Sequence, residues 1–136
     1  MLEPNVRKVL IVDDNADQAR PLAMILRHSG YDAQFVESGE AALRRLRDQV
    51  PGLMIVDLMM PGMTGIDVLR EVRTDPRTRT VPVVIYSACS DEKEMARARH
   101  EGANDYWVKV AMRIDEIRLR VEQYFTTGAG ASLAVH

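Results

Sequence analysis

Residues 53–65 read LMIVDLMMPGMTG, and the fold turns on them. Leu53–Val56 is apolar at every position and stops at Asp57; after a Pro61-Gly62 turn, Thr64 opens a helix through Val72. A strand with no polar alternation has both faces covered, as in a parallel sheet between helical layers. The same grammar recurs on either side. Upstream, Lys8–Val12 (KVLIV) runs straight into Asp13-Asp14, and Ala19, Leu22, Ile25 and Leu26 give the stretch from Ala16 to Ser29 helical spacing, ended by Gly30. Asp32–Val36 is a more polar strand suited to a sheet edge, and Ser38 caps a helix to about Gln49; Ala41, three residues on, completes no capping box. Downstream, Val81–Tyr86 is a strand ending at Ser87, Asp91–His100 a helix closed by Gly102, and Asn104–Val108 a strand ending at Lys109. Ile114, Ile117, Val121 and Tyr124 form the buried stripe of a last helix.

Five strands in strict alternation with five helices predict an α/β, flavodoxin-like, doubly wound (βα)5 three-layer sandwich with parallel strand order 2-1-3-4-5. One domain is expected over residues 1–125, with 126–136 (TTGAGASLAVH) a flexible tail or the start of a linker. Pro21 lies inside the first helix, where an interior proline costs about 3 kcal/mol. A kink is expected there, or a regular helix that begins later than its cap. With 136 residues, 46% apolar and 28% charged, the chain can bury one core and is not globally disordered. A net charge of −2, with arginines spread among acids, leaves no nucleic-acid footprint. Cys89 is the single cysteine, which suits a reducing compartment. Met1–Lys8 lacks a signal-peptide core, and no apolar run approaches the about 20 residues that span a bilayer. A cytoplasmic protein without membrane contact is expected.

In a parallel sheet every strand's C-terminal end lies on one edge, and ligands bind there where the strand order reverses. Asp13, Asp14, Asp57, Ser87 and Lys109 all fall at such ends. Taken singly, each has a plainer role: an acidic pair caps a helix, an aspartate before a turn is turn chemistry, a strand-end lysine is solvated. Their coincidence on neighbouring strands makes a site. Two unit charges about 4 Å apart repel by about 4 kcal/mol at an effective dielectric near 20, so three carboxylates raise their pKa values or recruit cations. Lys109 offers one charge and Mg²⁺ two more; an incomplete cage of hard oxygen ligands suits Mg²⁺. Asp57 is the natural nucleophile, because a carboxylate can accept a phosphoryl group as a mixed anhydride.

VLIVDDN at 9–15, VDLMMPGMTG at 56–65, VIYSA at 84–88 and DYWVK at 105–109 together resemble the receiver domains of two-component response regulators, such as the stand-alone chemotaxis regulator. The resemblance covers roughly residues 7–125. It implies a switch that takes a phosphoryl group on Asp57 from a histidine kinase or phosphotransfer protein. Asp13, Asp14, Asp57 and the backbone carbonyl of Met59 would hold Mg²⁺, and Lys109 and Ser87, with Ala88 beside it, would meet the phosphoryl group. Tyr106 would be the aromatic that moves inward, altering partner binding through the fourth helix, fifth strand and fifth helix. The only catalysis implied is phosphoryl transfer to the chain's own aspartate and slow loss of that group. An unknown downstream protein, without direct nucleic-acid contact by this chain, and a phosphorylation-linked homodimer fit the same reading.

Two positions depart from the family pattern. Val110 stands where proline usually follows the lysine through a cis peptide; a non-proline cis bond costs about 2.5–4 kcal/mol, so a trans Lys109-Val110 bond and a reshaped loop are expected. Thr64 replaces the usual acid or asparagine and keeps a helix-capping role. In that family the positions of Met59 and Cys89 flank the entry to the phosphorylated aspartate; neither residue is an acid or amide able to orient a hydrolytic water, so slow self-dephosphorylation is expected. Trp107, beside Tyr106 on a strand, faces the opposite side as a packing residue or partner contact, and His28 and His100 are helix-end residues. Two alternatives remain open: a receiver-fold adaptor working without phosphorylation, and a haloacid-dehalogenase-type phosphatase. The latter places its nucleophile after the first strand with a second acid two residues on, where this chain has Asn15.

Overall fold

The computed structural model describes residues 7–126. Five parallel strands, β1 (Lys8–Val12), β2 (Asp32–Val36), β3 (Leu53–Val56), β4 (Val83–Ser87) and β5 (Asp105–Val108), form one sheet in the order β2-β1-β3-β4-β5. The helices between and after them are α1 (Ala16–His28), α2 (Gly39–Asp48), α3 (Gly65–Thr74), α4 (Glu92–His100) and α5 (Ile114–Thr126). Side chains alternate across each strand and so supply two cores. Val9, Ile11, Leu53, Ile55, Val84 and Trp107 pack under α1 and α5, against Leu22, Leu26, Ile117 and Val121. Leu10, Val12, Met54, Val56, Ile85 and Tyr106 pack under α2, α3 and α4, against Leu46, Ile66, Leu69 and Ala98. This is the expected three-layer sandwich. No helix among the described residues is long and apolar enough to cross a membrane.

Helix starts follow local chemistry. Asn15, Ser38 and Asp91 accept from backbone N–H groups two or three residues on, and Thr64 forms a capping box with Asp67. Gly30 and Gly102, at φ +96° and +112°, turn the chain out of α1 and α4.

Several local expectations need correction. α1 is helical from Ala16 and runs through Pro21, so the later start, one of the two expected outcomes, does not occur. Pro21 and Asp17 are both exposed, so water has access to the turn whose Asp17 carbonyl loses its helical donor. β4 begins at Val83, because Pro82 has no N–H to offer the ladder, and it includes Ser87. Asn104 precedes β5 instead of opening it, and its side chain accepts the Val83 N–H at 2.8 Å. α3 continues past Val72 to Thr74 and ends before Pro76. On α5 only Ile117 and Val121 of the expected stripe are buried; Ile114, at the first turn, is 46% exposed, and Tyr124 is half-buried. The expected tail loses Thr126 to α5, and residues 127–136 lie outside the described residues.

Candidate functional site

The sheet ladder itself assembles the site. Val12 pairs with Val56, and the Asp57 N–H continues that pairing to the Val12 carbonyl at 2.8 Å, so Asp13 and Asp57 leave adjacent strands side by side. Asp13, Asp14 and Asp57 each present a carboxylate oxygen, all within 4.8 Å of one another; Asp13 and Asp57 are buried and Asp14 is exposed. Asp13 is oriented by the Asn15 N–H at 2.9 Å on Oδ1, and Asp57 by the Met59 N–H at 3.3 Å on Oδ1. From β5, Lys109 reaches back with its Nζ 2.9 Å from Asp13 Oδ2 and 3.5 Å from Asp57 Oδ2.

Burial pushes the Asp57 carboxyl above the ordinary carboxylate range; the Lys109 ammonium opposes that rise and the neighbouring Asp13 charge adds to it. Three carboxylates facing one ammonium leave an excess of two negative charges in an all-oxygen donor set. That chemistry fits a hard divalent cation held by Asp13, Asp14 and Asp57, with solvent reaching it from the Asp14 side.

Ser87, 1% exposed at the end of β4, accepts the Cys89 N–H at 3.3 Å on its Oγ. Its hydroxyl also bears on both the Asp57 carboxyl and the Tyr106 phenol. Tyr106 is buried and donates its hydroxyl to the Cys89 carbonyl at 2.6 Å. Burial and the adjoining Cys89 push its phenol up to about 12. Trp107 lies in the opposite core, its indole N–H bonded to Asp105 at 2.9 Å. Ala88 is exposed, and Met59 is 65% exposed at the mouth of the cluster. No cis peptide occurs among the described residues; Lys109–Ala111 forms a single 3-10 turn with Val110 89% exposed.

Two neighbours of the cluster were not singled out from the sequence: Gln18 lies outside every motif, and Tyr86 lies within VIYSA without an assigned role. Gln18, in the first turn of α1, accepts from Lys109 Nζ at 2.5 Å. The Tyr86 ring centroid lies 5.5 Å from that ammonium.

Residues 9–122 match the family model of the response regulator receiver domain. The DNA-binding response regulator MtrA of Mycolicibacterium paratuberculosis is 39% identical over 103 residues, covering 76% of this chain and 44% of MtrA. The phosphate regulon transcriptional regulatory protein PhoB of Rhizobium meliloti is 33% identical over 102 residues, covering 75% of this chain and 45% of PhoB. The chain therefore spans less than half the length of these curated relatives. Among solved structures, the signal receiver domain of a signal transduction histidine kinase from Syntrophus aciditrophicus is similar with a TM-score of 0.81 at 31% identity, covering 90% of this chain and 92% of that one. The family match runs from β1 through most of α5, across every strand that contributes to the carboxylate edge, and this chain belongs to the response regulator receiver domain family.

Proposed function

We propose that this chain is a phosphorylation-dependent switch of a two-component phosphorelay, with Asp57 as phosphoacceptor. The observation that carries the reading is the meeting of Asp13, Asp14 and Asp57 within 4.8 Å, with Lys109 Nζ 3.5 Å from Asp57. A carboxylate oxygen of Asp57 attacks phosphorus in a phosphohistidine of a kinase or phosphotransfer protein. The P–N bond breaks as the P–O bond of the acyl phosphate forms, and the imidazole leaves with the electron pair. Charge on the transferring oxygens is what the protein must stabilise. Lys109 shifts from Asp13 toward those oxygens, and Ser87 turns its hydroxyl from the Cys89 N–H to a phosphoryl oxygen. Mg²⁺ held by Asp13, Asp14, Asp57 and the Met59 carbonyl supplies the remaining positive charge when bound. Movement of Ser87 changes the strand-end turn whose Cys89 carbonyl holds Tyr106, which couples the site to the α4-β5-α5 face and a downstream partner.

Incubation with Mg²⁺ and acetyl phosphate, or a cognate kinase, adds the mass of one phosphoryl group to wild type and none to Asp57→Ala. Absence of modification under every donor refutes the proposal and leaves the adaptor reading. Lys109 reaches Asp57 despite Val110, so no observation favours that reading now.

A further inference from the structure

Lys109 begins a 3-10 turn whose next residue, Val110, is 89% exposed, so the backbone beyond the lysine is not packed in the core. A lysine stem on such a turn has many rotamers available. Its ammonium nevertheless occupies a defined place, bounded by Asp13 Oδ2 at 2.9 Å, Gln18 Oε1 at 2.5 Å and the Tyr86 ring centroid at 5.5 Å. An ammonium has three N–H donors. Asp13 and Gln18 accept two of them, which leaves the third for Asp57 Oδ2 at 3.5 Å. Gln18 is presented from a rigid support: α1 starts at Ala16, its first turn pinned by the Asn15 side chain on the Asp17 N–H at 3.0 Å and by the Gln18 N–H on the Asn15 carbonyl at 3.0 Å. The residue type matters too. A glutamine accepts from the ammonium without adding a fourth negative charge that would compete with an incoming phosphoryl group.

We propose that Gln18 is a positioning residue for phosphoryl transfer to Asp57: its side-chain carbonyl, with the Tyr86 ring, holds the Lys109 ammonium at the carboxylate cluster where the following backbone does not. Gln18 touches neither the phosphoryl group nor Asp57; it acts through Lys109. The inference rests on the assignment of Asp57 as phosphoacceptor and deepens it.

The chain has three lysines, Lys8, Lys93 and Lys109, so selective ¹⁵N-lysine labelling gives a readable ammonium spectrum with two internal references. Gln18→Met removes the acceptor while keeping length and helix propensity, and Gln18→Glu keeps an acceptor. Gln18 is exposed, so neither substitution disturbs the packed core. In metal-free protein, the exchange of the Lys109 ammonium protons with water accelerates about fivefold or more in Gln18→Met and stays slow in Gln18→Glu, with Lys8 and Lys93 unchanged. With Mg²⁺ and acetyl phosphate, Gln18→Met slows Asp57 modification about fivefold, and the same change made on Lys109→Met has no further effect. An unchanged Lys109 signal overturns the proposal, as does a wild-type rate in Gln18→Met or a loss that adds to that of Lys109→Met. A wild type that no donor phosphorylates overturns the Asp57 assignment as well, and that failure is visible without any Gln18 variant.

Discussion

Replacing Gly65 with alanine places a Cβ 2.4 Å from the Asp57 carbonyl oxygen, 2.8 Å from Leu58 Cα and 3.1 Å from the Asp57 carbonyl carbon. All three are backbone atoms at the end of β3, so no side chain can swing away; the start of α3 must retreat from the Asp57 loop. Overpacking against rigid atoms costs about 3 kcal/mol, at the upper end of the usual range. Retreat also strains the Gly65 N–H bond to the Leu58 carbonyl at 3.0 Å, worth about 1 kcal/mol. The lower entropy of the unfolded alanine chain returns about 0.4–1 kcal/mol. The net loss is about 3 kcal/mol, which at a urea m-value of about 1.5 kcal/mol/M lowers the unfolding midpoint by about 2 M. Equilibrium urea denaturation followed by far-UV circular dichroism reads this directly. Gly62→Ala is the control: at φ +72° its Cβ meets only Glu40 Oε2 at 4.0 Å, so the cost is left-handed backbone strain alone, about 1–2 kcal/mol. A Gly65→Ala midpoint within about 0.3 M of wild type would refute the argument, because it would mean that α3 shifts freely against the Asp57 loop.

Three further outcomes follow from the site and its supports. Burial, only partly opposed by Lys109, makes the folded state hold the Asp57 proton more tightly than the unfolded chain does, so ionisation disfavours the metal-free fold. Stability at this group falls as pH rises from the ordinary carboxylate range through the raised one; Asp57→Asn is therefore more stable than wild type near neutral pH in chelator, and its advantage fades in mild acid. Urea midpoints at the two pH values check this, and an advantage that grows in acid reverses the sign. Arg73, half-buried, donates to the carbonyls of Gly102, Arg79 and Val81 and to Asn104 Oδ1, tying α3 to the turns before β4 and β5. Arg73→Met removes this donor from the three carbonyls, while Asn104 Oδ1 keeps the Val83 N–H, and it costs about 3 kcal/mol by chemical denaturation; a loss below about 1 kcal/mol contradicts the role. Neither Met59 nor Cys89 carries an acid or amide that could orient water, so on the proposed reading phospho-Asp57 decays slowly, and Met59→Asn hastens decay. A wild-type half-life of only seconds in Mg²⁺, followed by mass spectrometry, rules this out.

The sequence by itself determined the class of fold and the inventory of the site. Period and punctuation are local properties: an apolar run ending at Asp57, capping residues at Ser38 and Thr64, and polar groups at successive strand ends can be read without knowing what they touch. Element ends were less legible where a backbone group's partner is distant. Pro82 shortened β4 from below, and Asn104 left β5 to bond the Val83 N–H, a contact made across 21 residues. Pro21 is tolerated in an exposed turn where water has access to the Asp17 carbonyl that loses its donor, which propensity does not register. Only the tertiary structure decided how Lys109 is held. Gln18 lies 91 residues from it in sequence and carries no motif. A hydrogen bond between side chains from α1 and the end of β5 depends on where those elements dock, and docking is set by the packed core beneath them rather than by either segment's own residues.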